Sequence, residues 1–299
     1  MSYLSLITLS RLFPTTMLFL ALSSWLVAAE DLIDDYSRGD LLRYSMSIGP
    51  NARAFPDGFT FPNDATARPE LFFGTDVSHY DGVIDWSKAR EQGIRFAYVK
   101  ATQGVQSTDN AFVKNWGDLG KLWGNEKTRV YRGAYHFLSA QGDAKVQAQN
   151  FLSKLGTVLR ADLPPSVDVE WDAPPGSTDL DAADRWRSVS PTDIVAKVKT
   201  WLEVVEQATG KMPVIYTQPG WWQNRVGTTD KLAKYQIWVA DYTTKSQLSE
   251  VPRKVPGYVT NIWQFSEHGR AKKGFPTKID VSLFRGGQQE FLTAFGLPQ

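Results

Sequence analysis

Pro165-Ser-Val-Asp-Val-Glu-Trp171 is a short β-branched run that ends in two carboxylates, and it is the fourth of eight runs built on one plan. Each is a β-branched or aromatic stretch, then a polar residue, then a loop or amphipathic segment, which reads as strand, strand end and connection. Upstream lie Phe72–Val77, Arg95–Ala101 and Arg129–Phe137; downstream lie Pro213–Thr217, Gln236–Ala240, Thr260–Phe265 and Ile279–Phe284. The clearest helix separates the fourth and fifth runs. Ser190 is its N-cap, Pro191 its first residue, Asp193 completes a capping-box pattern and Gly210 ends it. Ile194, Val198, Trp201, Leu202 and Val205 form the apolar face. Further helical stretches follow the first three runs at Trp86–Glu91, Asn110–Trp123 and Ala144–Leu155. Alternating β and α predicts a parallel sheet with right-handed crossovers. After Tyr216 the intervals hold little helical pattern, so the last strands are expected to follow one another through loops. The fold class is α/β: a TIM-like barrel of eight strands, with helices around only part of it.

In such barrels the chemistry sits at the C-terminal ends of the strands. Those ends carry Asp76, Lys100, Tyr135 with His136, Asp168 with Glu170, Tyr216, Trp238 with Asp241, Gln264 and Asp280. A carboxylate, amide or phenol at nearly every strand end implies one polar, aromatic-walled pocket. Asp81, further out in the first loop, is expected to face solvent. Asp168 and Glu170 are two residues apart, hence on one face of a strand with alpha carbons about 6.5 Å apart. Two acids facing one way into a barrel repel, and partial desolvation raises one pKa further. The result is a protonated acid beside a carboxylate, the arrangement that glycoside cleavage needs. Asp76 and Asp280 come from the first and last strands, neighbours once the barrel closes, so four acids are expected at one mouth.

Composition narrows the field. The 299 residues are 42% hydrophobic and 22% charged, which describes a folded chain. A formal charge of +1 argues against nucleic acid as a partner. The absence of Cys removes disulfide scaffolds, Cys-based zinc sites and cysteine nucleophiles together. A hard cation is the competing explanation of clustered carboxylates. His79, His136 and His268 show no paired zinc spacing, however, so neither metal nor cofactor is expected. His136 reads as a hydrogen-bonding pocket histidine, and Ser78 as a turn residue without a nucleophile elbow.

The first 29 residues carry one charge, Arg11, then the apolar run Met17–Val27 and Ala28-Ala29, before the chain turns acidic at Glu30 and Asp31. Residues 1–29 therefore read as a signal peptide cut after Ala29, which sends the chain out of the cytoplasm to the periplasm or beyond. An uncleaved anchor is the alternative, because apolar residues also precede Arg11. Residues 30–70, broken by Pro50, Pro56, Pro62 and Pro69, read as a linker or arm. The barrel then occupies 71–299.

Taken in order, the motifs resemble the family 25 glycoside hydrolases, the CH-type lysozymes or N-acetylmuramidases. The opening motif is similar to Gly74-Thr-Asp-Val-Ser-His-Tyr80 with Ile84-Asp-Trp86. Phe96-Ala-Tyr-Val-Lys-Ala-Thr102, Gly133-Ala-Tyr-His-Phe137, Val167-Asp-Val-Glu170 and Val214-Ile-Tyr-Thr217 follow, then Trp238-Val-Ala-Asp-Tyr242, Trp263-Gln264 and Ile279-Asp-Val281. The likeness spans about residues 72 to 284 and implies a barrel of five βα units and three further strands. It implies Glu170 as general acid and base, with Asp168 positioning or stabilising the substrate's 2-acetamido group or the developing oxazolinium; the two-residue spacing leaves open direct attack of Asp168 on the sugar carbon, because it fixes backbones and not carboxyl oxygens. By the same resemblance Asp76 and Asp280 hold the site's charge and hydrogen bonds, while Tyr135, Tyr216, Trp238 and Gln264 line the sugar subsites. Lys100 and Asp241, at strand ends, join the expected substrate-binding set. The implied reaction is hydrolysis of the β-1,4 bond between N-acetylmuramic acid and N-acetylglucosamine in peptidoglycan strands, by a monomer without a membrane span once mature. Two departures stand out. Gln103 replaces a frequent Glu, so one charge near the groove is missing and substrate affinity or pH dependence is expected to change. The insertion-like loop 172–187 follows the catalytic strand directly, where it could act as a lid or shape specificity. Two other readings compete: a non-catalytic glycan-binding barrel, and a chitinase-like hydrolase, which lacks an acid at Ser166.

Overall fold

The computed structural model describes residues 59–61, 71–276 and 278–299; the expected signal peptide and most of the expected arm lie outside the described residues. The strands are β1 (Thr60–Phe61), β2 (Leu71–Val77), β3 (Ile94–Gln103), β4 (Ser107–Thr108), β5 (Tyr131–Phe137), β6 (Ser166–Asp168), β7 (Val214–Thr217), β8 (Gln236–Ala240), β9 (Thr260–Ala271) and β10 (Ile279–Arg285). Pairing runs β9-β10-β2-β3-β5-β6-β7-β8 and returns from β8 to β9, which closes an eight-stranded barrel. All its neighbours are parallel except β10, antiparallel to both β9 and β2. The short β1 pairs with the far end of β9, and Phe59 and Phe61 are buried there against Phe73 and Phe265.

The helices are α1 (Trp86–Glu91), α2 (Phe112–Lys121), α3 (Ala144–Leu155), α4 (Leu180–Ala183), α5 (Pro191–Thr209), α6 (Pro219–Arg225), α7 (Thr244–Ser249) and α8 (Gln288–Ala294). The α5 helix starts and stops where its sequence signals lie. The Ser190 hydroxyl accepts from the Asp193 amide at 3.2 Å, and Gly210 takes a left-handed φ of 67°. The expectation of bare loops after Tyr216 is corrected by α6 and α7. Each is too short to show periodicity, yet α6 begins on Pro219 and buries Trp221 and Trp222, and α7 is capped by the Thr243 side chain.

The barrel interior is filled in layers. Phe96 lies over Gly74 and Tyr98 over Gly133; a Cβ on those glycines would fall 2.4 and 2.3 Å from the rings, so only glycine fits beneath them. At the N-terminal end of the barrel α8 acts as a plug, with Phe291 against Phe72, Phe96 and Phe284 at ring distances of 4.5, 5.2 and 5.3 Å. This packing closes the N-terminal end of the barrel interior, and the cavity lined by the strand ends lies at the C-terminal end. Among the described residues no helix is long and apolar enough to cross a membrane.

Candidate active site

That end holds a cavity of about 120 Å³ lined by Asp76, Tyr135, Asp168, Glu170, Tyr216, Trp238 and Asp280. Six strands deliver them. Register puts Asp168 beside Tyr216 and Tyr216 beside Trp238, so acid, phenol and indole stand side by side around the wall. Glu170 lies just past the end of β6. The backbone there is held extended, because the Val169 amide donates to the Tyr216 carbonyl at 2.9 Å and the Thr217 hydroxyl to the Val169 carbonyl at 2.8 Å. Asp168 and Glu170 thereby share one cavity.

Gln264 acts from β9 behind this wall. Its amide donates to Asp76 Oδ2 at 2.7 Å, and its carbonyl oxygen accepts from Tyr216 Oη at 2.8 Å and from Tyr242 Oη. Gln264 is buried and positions these groups instead of facing the cavity. Trp238 is fixed by donating from Nε1 to Ser282 Oγ at 3.1 Å, with the Tyr98 ring 4.9 Å away.

Every acid in the cavity is harder to ionise than usual. Burial raises Asp76 well above the carboxylate range, and Asp280 pushes it further. Burial likewise raises Asp168, with Glu170 as its like-charged neighbour. Glu170 is pushed up to about 7, mainly by burial, against an opposing pull from Lys100. Asp280 also reaches about 7, through burial and the charges of Asp81 and Glu267. Glu170 is the like-charged neighbour of Asp168, and Asp280 that of Asp76, so neither pair readily loses both of its protons. Asp168 Oδ1 is buried and has no hydrogen-bond partner, so it is open to a donor from a bound molecule.

Other expected site residues stand elsewhere. Lys100 is half-buried at the edge, its ammonium donating to Gln103 Oε1 at 2.9 Å. Asp241 does not reach the cavity, and its expected substrate contact is corrected. It is buried beneath the β8–β9 connection, where it accepts from Ser246 Oγ at 2.5 Å, from the Arg253 amide at 2.7 Å and from the Arg253 guanidinium. An acid one residue past a strand end can anchor the next loop as readily as face the pocket. His136 is corrected in the same way. It points outward, bonded to Thr102 at 2.7 Å and Gln147 at 3.2 Å and stacked 5.7 Å from Trp201, and burial lowers its pKa to about 3. Ser78 does the turn work expected of it, accepting from the Tyr80 amide.

Sequence reasoning missed three contributors. Asp81 is half-buried, contrary to its expected solvent exposure, and accepts from the Ser78 amide at 2.8 Å. Glu267 lies on the part of β9 that runs past the last predicted strand residue, Phe265, and its charge acts on Asp280 and Glu170. Tyr242 closes the phenol pair on Gln264, and its place after Trp238-Val-Ala-Asp was the available signal. The loop 172–187 is tied at both ends. Asp172 accepts from Ser139 Oγ, the Ala140 amide and Arg185, and Asp184 from Trp221 Nε1 and Arg225 Nε at 3.0 and 2.9 Å. Among the described residues no three histidines or acids are grouped so as to hold a metal ion.

Residues 75–274 match Glycosyl hydrolases family 25. Among curated relatives, Uncharacterized protein YegX of Escherichia coli (strain K12) is 32% identical over 227 residues, which is 74% of this chain and 72% of that protein. Lysozyme M1 of Streptomyces globisporus is 30% identical over 223 residues, 73% of this chain and 69% of that protein. Among solved structures, the bacterial lysozyme from Streptomyces coelicolor superposes with a TM-score of 0.64 at 28% identity, over 75% of this chain and 96% of that one.

Proposed function

The chain belongs to glycosyl hydrolases family 25 and is a glycoside hydrolase, and from that premise we propose an exported muramidase that cleaves the β-1,4 bond between N-acetylmuramic acid and N-acetylglucosamine in peptidoglycan. The observation that carries this reading is Glu170, held near neutrality inside the cavity beside Asp168. A carboxyl that titrates near 7 can donate a proton and take one back in the same cycle. Glu170 gives its proton to the glycosidic oxygen as the C1–O bond breaks, and the leaving sugar departs as an alcohol. The unpartnered Asp168 Oδ1 accepts from the acetamido N–H and turns that group's carbonyl oxygen onto C1, forming the C1–O bond of an oxazolinium. A water molecule then attacks C1 as the oxazolinium C1–O bond breaks and restores the acetamido group, while Glu170 removes the water's proton.

Tyr135, Tyr216 and Trp238 give the sugar rings their wall, and the Asp76–Asp280 pair, tied to Gln264, supports the mouth. On this reading residues 1–29 serve export, and the barrel works as a monomer on glycan strands.

The test incubates the full chain and its Glu170→Gln variant with purified peptidoglycan and identifies the reducing-end sugar by mass spectrometry. Reducing muramic acid ends from the wild type alone support the assignment. Binding without new ends would make this a barrel that only holds glycan, and release of chitin oligomers without muropeptides would make it a chitinase.

A further inference from the structure

Strand β3 breaks its alternation at one place beside the site. Its register against β5 shifts between Lys100 and Thr102: Lys100 pairs with Tyr135, but Thr102 already pairs with His136. In a regular strand, residues three apart point to opposite faces. The extra residue in the bulge puts Lys100 and Gln103 on the same face while Thr102 turns outward to His136. The consequence is the 2.9 Å bond from Lys100 Nζ to Gln103 Oε1. The Phe137 ring, 5.1 Å from Nζ, limits the ammonium from a second side. Gln103 itself is fixed, since β4 pairs across it at Ser107 and the next amide, that of Gly104, donates to the Phe137 carbonyl at 3.1 Å.

The acceptor that receives this ammonium is therefore neutral. We propose that Gln103 is a positioning residue for the catalytic pair: it holds Lys100 at the pocket edge without neutralising it, so that Asp168 and Glu170 work beside an uncompensated cation. The proposal rests on the muramidase reading for its meaning in catalysis, and on the bulge for its geometry. Lys100 is the cation that opposes the rise of both acids. Against it stand the charges that reach the cavity from other elements. Glu267 acts on Glu170 from β9. Asp280 on β10 and Asp76 on β2 press on each other, with Asp81 beside them. Of the phenols, Tyr216 and Tyr242 face Glu170, and Tyr135 faces Asp168; burial keeps all three protonated. His136, beside Lys100 on the next strand, is buried on the outer face and neutral.

The sign follows from charge in one variant and from the lost hydrogen bond in the other. Gln103→Glu places an anion on Lys100, cancels its pull and makes Glu170 harder to ionise. Gln103→Met keeps the size but removes the acceptor, which frees the ammonium to turn onto the carboxylates and makes Glu170 easier to ionise. The experiment titrates ¹³C-labelled glutamate side chains of the full chain by NMR, with the Glu170 signal assigned by its absence in Glu170→Gln. The expected result is a Glu170 midpoint raised by about half a pH unit or more in Gln103→Glu and lowered in Gln103→Met, with the alkaline limb of kcat/KM on peptidoglycan moving the same way. The proposal is overturned if Gln103→Glu leaves the midpoint within about 0.2 pH unit of wild type, or if both variants move it in one direction. Should Gln103→Glu fail to fold, Gln103→Met decides alone: a lowered midpoint supports the proposal, and an unchanged or raised one overturns it. The titration needs no turnover, so a wild type that cleaves no peptidoglycan removes the muramidase reading and leaves this test intact.

Discussion

One residue separates Glu170 from a buried acid, Asp172, whose amide donates to Asp184 across the loop, and the Asp168–Glu170 and Asp172–Asp184 sets have opposite fates. Asp172 and Asp184 are each about as inaccessible as Asp168, at 2%, 3% and 7% exposure. Burial is therefore not what separates Asp172 and Asp184 from Asp168. The outer pair receives two arginines, an indole N–H and backbone amides, so its carboxyl oxygens are matched by donors. The cavity pair receives one cation at its edge, and one of its oxygens has no partner. An identical residue type in similar burial becomes a fastening where other elements bring donors to it, and a proton carrier where they withhold them.

The largest effect that tests this contrast is on turnover. Glu170→Gln keeps shape and removes the proton carrier, and is expected to lower kcat on peptidoglycan by about 10³-fold or more while circular dichroism stays native. Asp184→Ala is the mirror case. It leaves the Arg225 guanidinium and Trp221 Nε1 without their buried acceptor, and breaking a buried pair in this way costs about 3–5 kcal/mol, to be read from urea unfolding. If Asp184→Ala cost no more than a surface substitution, the two sets of acids would not differ as described.

Much of the fold was legible because strand and helix signals act locally. The run Val214–Thr217, the N-cap at Ser190 and the stop at Gly210 lie where the chain's own chemistry places them. The carboxylates of the cavity were legible too, since a strand that ends in Asp-x-Glu needs no other element to aim both acids one way. What escaped depends on partners distant in sequence. Asp241 carries the same strand-end signal as Asp76, and only the arrival of Ser246 and Arg253 turns it away from the pocket. Glu267 acts because β9 runs on past the predicted strand end, alongside β1, a pairing that no local pattern announces. The bulge after Lys100 is equally silent, as Ala101 and Thr102 read like any other strand residues.

The smallest effect sharpens the contrast in stability. A carboxyl with a folded-state pKa above its unfolded value binds its proton more tightly in the fold. It therefore favours the folded state below the unfolded pKa and loses that contribution as pH rises through the folded one. For Glu170 this window runs from the ordinary 4.5 to about 7. Glutamine mimics the protonated acid and does not titrate, so Glu170→Gln is expected to match wild-type stability below pH 4.5, pull ahead through the window and end roughly 1–3 kcal/mol more stable at pH 8. Urea midpoints measured at pH 4, 6 and 8 give the curve. A flat difference across that range would mean that Glu170 ionises as easily in the fold as outside it. The cavity would then exert no strain on its acids, and the line drawn between the catalytic pair and the fastened pair would fall.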